Sequence, residues 1–310
     1  MEDFAARLPK AELHLHLEGS VDAGTLHELD PAAPLEELRA LFEYADFNAF
    51  LKSFGAVVKR LERPEDYALV TRRLLERLAA QNVHYAEIII AAGVVLWKKQ
   101  EFAPIFDAIH DAARGSAVEV RWILDAVRQF GVEPAMEVAQ LAAARQDRGV
   151  VAIGIGGSEE RGPAEWFKDV YAFAKSEGLH LTAHAGEGTS PESVWEALVL
   201  GAERIGHGIA AVRDQGLLRH LRDHDIPLEI AITSNLVTGV VKSIEEHPIR
   251  ALYDAGVPIV LNTDDPGMFG CTLTDEYRLA ARAFGFTEIE LRGIAENGFR
   301  YGFGGKGESK

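Results

Sequence analysis

The chain holds one cysteine, Cys271, among 310 residues. A single thiol closes no internal disulfide, so the sequence fits a reducing compartment, and it excludes a metal site built from thiolates. Basic residues are the second shortage. Lys and Arg number 32 against 48 Asp and Glu, for a net charge of −16, and they form no long run. Such a surface repels phosphate backbones and anionic headgroups, so neither nucleic acid nor a membrane is an expected partner. Long apolar runs are also missing. Stretches such as 86–96 are too short and interrupted to span a bilayer. The start, MEDFAARLPK, is acidic and has no apolar segment of a secretory signal, so the expected location is cytoplasmic.

No low-complexity stretch divides the chain. This predicts one domain over 1–303, followed by a Gly-rich, flexible tail at 304–310. The tail superficially suggests a phosphate loop, but it has Gly307 where Ser or Thr is required. Hydrophobic residues make up 47% of the sequence and charged residues 26%, enough apolar material for a sizeable core.

Short apolar segments bounded by Gly, Pro or Asn fall at 11–16, 83–90, 118–125, 150–155, 180–184, 204–207, 228–232 and 258–262. They read as strands buried on both faces. Amphipathic stretches lie between them, at 65–81, 102–114, 134–145, 163–177, 191–200, 213–224 and 247–255. In 65–81, Val70, Leu74, Leu75 and Leu78 share one face, with Arg72, Arg73, Glu76 and Arg77 expected outside it. Eight β-then-α units predict an α/β fold, the TIM (β/α)8 barrel. The first connection, 17–82, exceeds a simple crossover, and its extra length predicts a lid or pocket wall.

In E-L-H-L-H-L-E-G, His14 and His16 lie two apart. On a strand such residues point to one face, where two imidazoles can share a metal. T-A-H-A-G-E places His184 at the end of the fifth strand segment, and R-I-G-H-G places His207 at the end of the sixth. L-N-T-D-D-P-G places Asp264 and Asp265 after the eighth. Each has a plainer reading: a pair of structural histidines, a core histidine, an Asp-Pro-Gly turn, or Glu187 as a helix cap. Together they gather at the C-terminal face, where barrel active sites form. His220 and His224 lie four apart on a helix that lacks a metalloprotease glutamate, and His84 and His180 begin their strands; all four read as structural. Gly154, Gly156 and Gly157 lack the spacing of a dinucleotide motif and suggest close backbone approach to a flat ligand.

P-K-A-E-L-H-L-H-L-E-G, H-A-G-E, G-H-G and N-T-D-D-P occur together and in order. From about residue 8 to 299 the sequence thereby resembles the adenosine deaminase family of the amidohydrolase superfamily. The resemblance implies one Zn2+ per chain held by His14, His16, His184 and Asp264, with water completing the shell. It implies that Glu187 protonates purine N1 and that His207 orients the water and holds its developing charge. Asp265 would contact the water or purine N7, and Gly157 would offer a backbone N–H to N3. The implied partner is a small adenine nucleoside. The cysteine-rich cytidine-deaminase type of site is closed to a chain with one thiol.

Two positions depart from nucleoside-specific members. Glu18 stands where they usually carry an Asp that meets the ribose 5′-hydroxyl, and I-G-G-S-E replaces L-A-G-[DN]-E. F-E-Y-A-D-F-N-A-F, P-E-D-Y, H-Y-A-E and D-D-P-G-M-F-G look closer to bacterial members that deaminate aminodeoxyfutalosine, an adenine nucleoside with a carboxyphenyl-ketone chain at its 5′ end. Adenosine and adenine remain alternatives; members acting on adenine also carry Glu at this place. Another metal-dependent hydrolase of the same barrel is a further reading, although no Lys ends a strand segment to bridge two metals. A barrel that only binds a partner is the third.

Overall fold

The computed structural model describes residues 2–44 and 47–305. Eight strands form one sheet in sequence order: β1 Lys10–His16, β2 Val83–Ile90, β3 Glu119–Val127, β4 Val150–Gly156, β5 His180–Ala185, β6 Arg204–His207, β7 Leu228–Ile230 and β8 Ile259–Leu261. Every neighbouring pair is parallel. The ring closes between β8 and β1 through a single parallel bridge from Leu15 to Asp264. There His16 N donates to Asp264 O at 2.8 Å and Asp264 N donates to His14 O at 3.1 Å. One step lower, Asn262 Oδ1 accepts from Leu13 N and His14 N at 2.8 and 3.0 Å. A side chain thus takes the place of a ladder carbonyl at the seam, which keeps both buried amides satisfied. The fold is the expected TIM barrel.

An apolar shell between the strands and the surrounding helices forms the main core. The barrel interior is different. Arg204 of β6 and Glu229 of the neighbouring β7 meet Glu87 of β2 across it. Arg204 donates to Glu229 Oε1 at 2.6 Å and to Glu87 Oε2 at 2.5 Å. The ring of Phe303 lies 3.6 Å from the Arg204 guanidinium carbon. Tyr85 donates to Glu87 at 2.6 Å. Buried charges are costly unless each is paired and hydrogen-bonded, and here each is.

The first connection carries helices Ala23–Leu29, Leu35–Ala40 and Phe47–Val58 ahead of the crossover helix Pro64–Ala80. The crossover helix starts on Pro64, and Asp66 reaches back to accept from Arg63 N at 2.8 Å. The inserted part leans on the loop after β8. Tyr44 donates to Met268 O at 3.0 Å, and the rings of Phe50 and Phe269 lie 5.1 Å apart. It therefore walls the β8–β1 side of the barrel mouth. Arg77 departs from the expected outer face. It turns inward and donates to Ser20 O and Asp22 Oδ2, at 2.5 and 3.0 Å, tying the insertion to its helix.

Two strands end earlier than expected. β7 stops at Ile230 because the chain turns into a short helix, Ile232–Val237, which the periodicity does not reveal. The helix expected at 213–224 begins after Asp214, whose carboxylate accepts from Gly216 N and Leu217 N. Helices Leu273–Phe284 and Glu288–Tyr301, which follow β8, also escape the periodicity reading. Near the tail, Gly304 N donates to Tyr85 Oη at 2.8 Å; residues 306–310 of the expected flexible segment lie outside the described residues. Among the described residues, no helix is long and apolar enough to cross a membrane.

Candidate active site

His14, His16, His184, His207, Glu187, Asp264 and Asp265 meet at the C-terminal mouth of the barrel. The ligand atoms of His14, His184, His207 and Asp264 all lie within 4.8 Å of one another. His16 adjoins them, with Nε2 at 3.1 Å from His184 Nε2 and 3.2 Å from Asp264 Oδ1. His14 Nε2 lies 3.4 Å from the same oxygen and is buried without a hydrogen-bond partner. Three imidazoles and a carboxylate suit a divalent transition ion. The unpartnered nitrogen aimed at this cluster fits such an ion as well. The residues present therefore match the implied metal.

Each group is held from behind. His14 Nδ1 faces Glu229 Oε2 at 2.8 Å, and His184 Nδ1 faces Ile155 O at 3.2 Å. A histidine that gives its other ring N–H to a fixed acceptor keeps the opposite nitrogen free for a metal. Ser234, from the short helix after β7, donates to Asp264 Oδ2 at 2.7 Å. His207 and Asp264 adopt left-handed backbone at φ 61° and 65°. Such strain in non-glycine residues collects at functional sites. Gly206 is required beside His14, since a Cβ there would stand 2.7 Å from His14 Cε1. A Cβ on Gly19 would collide with the carboxylate of Asp265.

The electrostatics divide the carboxyls. Burial opposes ionisation of Asp264, but the imidazoles of His14 and His16 beside it outweigh that and hold this group well below the usual range. Burial and the Asp264 charge push Asp265 up. Burial, and then Asp264, push Glu187 up to about 8. Burial alone would lower His14, yet the neighbouring carboxylates of Asp264 and Glu229 carry it to about 10. His207 is driven down to about 4, chiefly by burial. Its Nε2 stands 3.8 Å from both Glu187 Oε2 and Asp264 Oδ2. The site thus pairs a neutral carboxyl with a neutral imidazole beside an ionised carboxylate.

A cavity of about 630 Å3 opens here, bordered by Gly157, Glu187, Ile209, Arg213, Val241 and Glu246, among others. Gly157 borders it. Glu18 lies outside that lining. It is buried, and Ala91 N reaches its two carboxylate oxygens at 3.2 and 3.3 Å. His84, His180, His220 and His224 stay away from the site. His180 faces Glu203 at 2.9 Å, and His220 stacks on His224.

Several contributors escape the sequence reading. Glu229 is one, and its signal is a lone carboxylate inside the apolar strand L-E-I. Glu159 is another. It accepts from Gly186 N at 2.7 Å, Glu187 N at 3.1 Å, Thr189 Oγ1 at 2.8 Å and Ser193 Oγ, and so fixes the loop that carries Glu187. Asp125 of β3 is buried under Gly154 and Gly156, where burial pushes it up to about 6. Ser234, Asn235 and His247 carry no motif that sets them apart.

A family profile described as adenosine deaminase matches residues 9–310. The chain belongs to the adenosine deaminase family. It is 39% identical to an aminodeoxyfutalosine deaminase of Streptomyces avermitilis over 98% of this chain and 88% of that protein. It is 34% identical to an adenosine deaminase of Serratia proteamaculans over 96% of this chain and 95% of that one. A zinc-bound amidohydrolase from Burkhoderia ambifaria superposes with a TM-score of 0.90 at 28% identity, covering 97% of this chain and 87% of that chain. The chain is accordingly an enzyme of the adenosine deaminase type, a hydrolase of carbon–nitrogen bonds.

Proposed function

We propose that the chain is a zinc-dependent hydrolytic deaminase of an adenine nucleoside, converting the 6-amino group to 6-oxo and releasing ammonia. One observation carries this: Glu187, a buried carboxyl whose ionisation burial opposes, shares a barrel mouth with a set of metal donors that includes the unpartnered His14 Nε2. His14, His16, His184 and Asp264 would hold the ion. Bound zinc supplies a water that loses its proton near neutral pH.

The residues of the chain do the rest. Glu187 donates its proton to ring N1, so the ring accepts oxygen at the carbon bearing the amine without a full negative charge on nitrogen. His207 steadies the charge that grows on the incoming oxygen. Asp265, kept protonated by burial and by Asp264, is suited to donate to N7. The Gly157 N–H meets N3. Overall, the oxygen of water becomes the 6-oxo group. Its two protons end on ring N1 and on the departing ammonia.

Aminodeoxyfutalosine is the substrate we assign, which places the enzyme in the futalosine route to menaquinone. Support comes from the Streptomyces relative and from the size of the cavity, which is typical of a site for a drug-sized ligand. In this chain Glu18 is engaged by the Ala91 N–H, which sets it apart from an Asp that reaches a free 5′-hydroxyl. Ammonia release from aminodeoxyfutalosine, adenosine and adenine tests the assignment. The highest kcat/KM is expected for aminodeoxyfutalosine, and a preference for either of the others would reassign the substrate.

A further inference from the structure

His207 is backed by a chain of three hydrogen bonds running away from the site. Its Nδ1 faces Asn235 Nδ2 at 3.2 Å. Asn235 Oδ1 faces His247 Nε2 at 3.2 Å. His247 Nδ1 faces Ile249 N at 3.2 Å. All three side chains are buried. The direction of this chain follows from its far end. A backbone N–H only donates, so His247 Nδ1 must accept. A neutral imidazole that accepts at Nδ1 carries its proton on Nε2. That proton needs an acceptor, and the oxygen of Asn235 supplies it. The Asn235 amide group is then turned toward His207 and donates to Nδ1. The flipped amide would set its N–H against the Nε2–H of His247, two donors face to face. A ring whose Nδ1 accepts a hydrogen bond carries its one N–H at Nε2, and both histidines do so.

We propose that His247 and Asn235 are positioning residues that lock His207 as its Nε2–H tautomer, so that it enters the deaminase reaction as a hydrogen-bond donor and not as a proton acceptor. The Nε2–H lies on the side of Glu187 and Asp264, 3.8 Å from an oxygen of each. A donor aimed there stabilises negative charge on the incoming oxygen at no cost in reorganisation. A ring with the opposite tautomer would present a lone pair to that charge and repel it. The Ile249 amide begins the helix Ile249–Asp254, so a rigid element sets the polarity of the whole chain.

The consequence for turnover rests on the deaminase reading, while the tautomer does not, and the experiment separates them. Nitrogen-15 NMR of histidine-labelled, zinc-loaded protein reads the tautomer directly. The parent should show His207 protonated at Nε2. Asn235→Asp, close to isosteric, accepts at both positions and should move the proton to Nδ1 while zinc content stays the same. With aminodeoxyfutalosine, kcat should fall on the order of 10²–10⁴-fold with little change in KM, as expected of a wrong tautomer in a general way. His247→Leu should lower kcat, and His247→Gln, whose amide N–H can face Asn235 Oδ1, should recover much of it. A parent His207 protonated at Nδ1, or an Asn235→Asp protein with parental kcat, would overturn the proposal. Absence of ammonia release by the parent would count against the deaminase reading alone, and the NMR result would still decide the tautomer.

Discussion

Glu229 Oε2 lies 2.8 Å from His14 Nδ1, and both groups are buried. The carboxylate therefore holds the proton of His14 on Nδ1 and leaves Nε2 directed at the cluster. Arg204 keeps Glu229 ionised against its burial. Glu229→Gln retains the shape but loses the charge, and it allows the amide to present a donor to Nδ1. Metal affinity should fall about 10–100-fold, the usual effect of removing such a partner. Competition with a calibrated chelator measures it. Unchanged affinity would mean that Glu229 serves the barrel interior and not the metal.

Glu187→Gln should keep the metal and lose most turnover. The pH dependence of the parent gives an independent reading. Burial raises the Glu187 carboxyl to about 8, so the acid form required of a proton donor dominates below that value and is lost as pH rises through it. kcat/KM should therefore decline on the alkaline side, with a midpoint near 8. Residual turnover of the Gln variant should show a shallower limb, since Asp265, raised to about 8 as well, still titrates there. A variant with the same alkaline limb as the parent would assign the titration to another group.

Arg204 sits between Glu87 and Glu229 with about 1% of its surface exposed. Arg204→Ala leaves two buried carboxylates without their cation. Breaking a buried pair in this way costs about 3–5 kcal/mol. Urea unfolding should show a lower midpoint with an unchanged slope. A loss below about 1 kcal/mol, the scale of an exposed pair, would show that water reaches this part of the barrel.

The histidine and aspartate positions were legible in the sequence because strand ends in a parallel barrel all face one way. Once His14, His184, His207 and Asp264 were read as ending strands, their convergence followed. The fold was legible for the same reason, since each strand is a short apolar run between breakers. What stayed hidden depends on neighbours distant in sequence. Glu229 meets His14 across 215 positions, and only closure of the barrel brings them together. The expected strand 228–232 overruns into the helix Ile232–Val237 by one residue, because Ile232 continues the apolar run. Ser234 and Asn235 follow on that helix, where no motif marks them. Arg77 meets Ser20 O and Asp22, partners more than fifty positions away that helical periodicity does not reveal.

On the proposed reading, one ion held by His14, His16, His184 and Asp264 makes this chain a deaminase. Titrating zinc into metal-free protein while following ammonia release tests it most directly. Activity should rise from near zero and saturate at one zinc per chain, and His14→Ala should show neither tight binding nor recovery. Full turnover by the metal-free protein, or stoichiometric zinc retained by His14→Ala, would contradict the account.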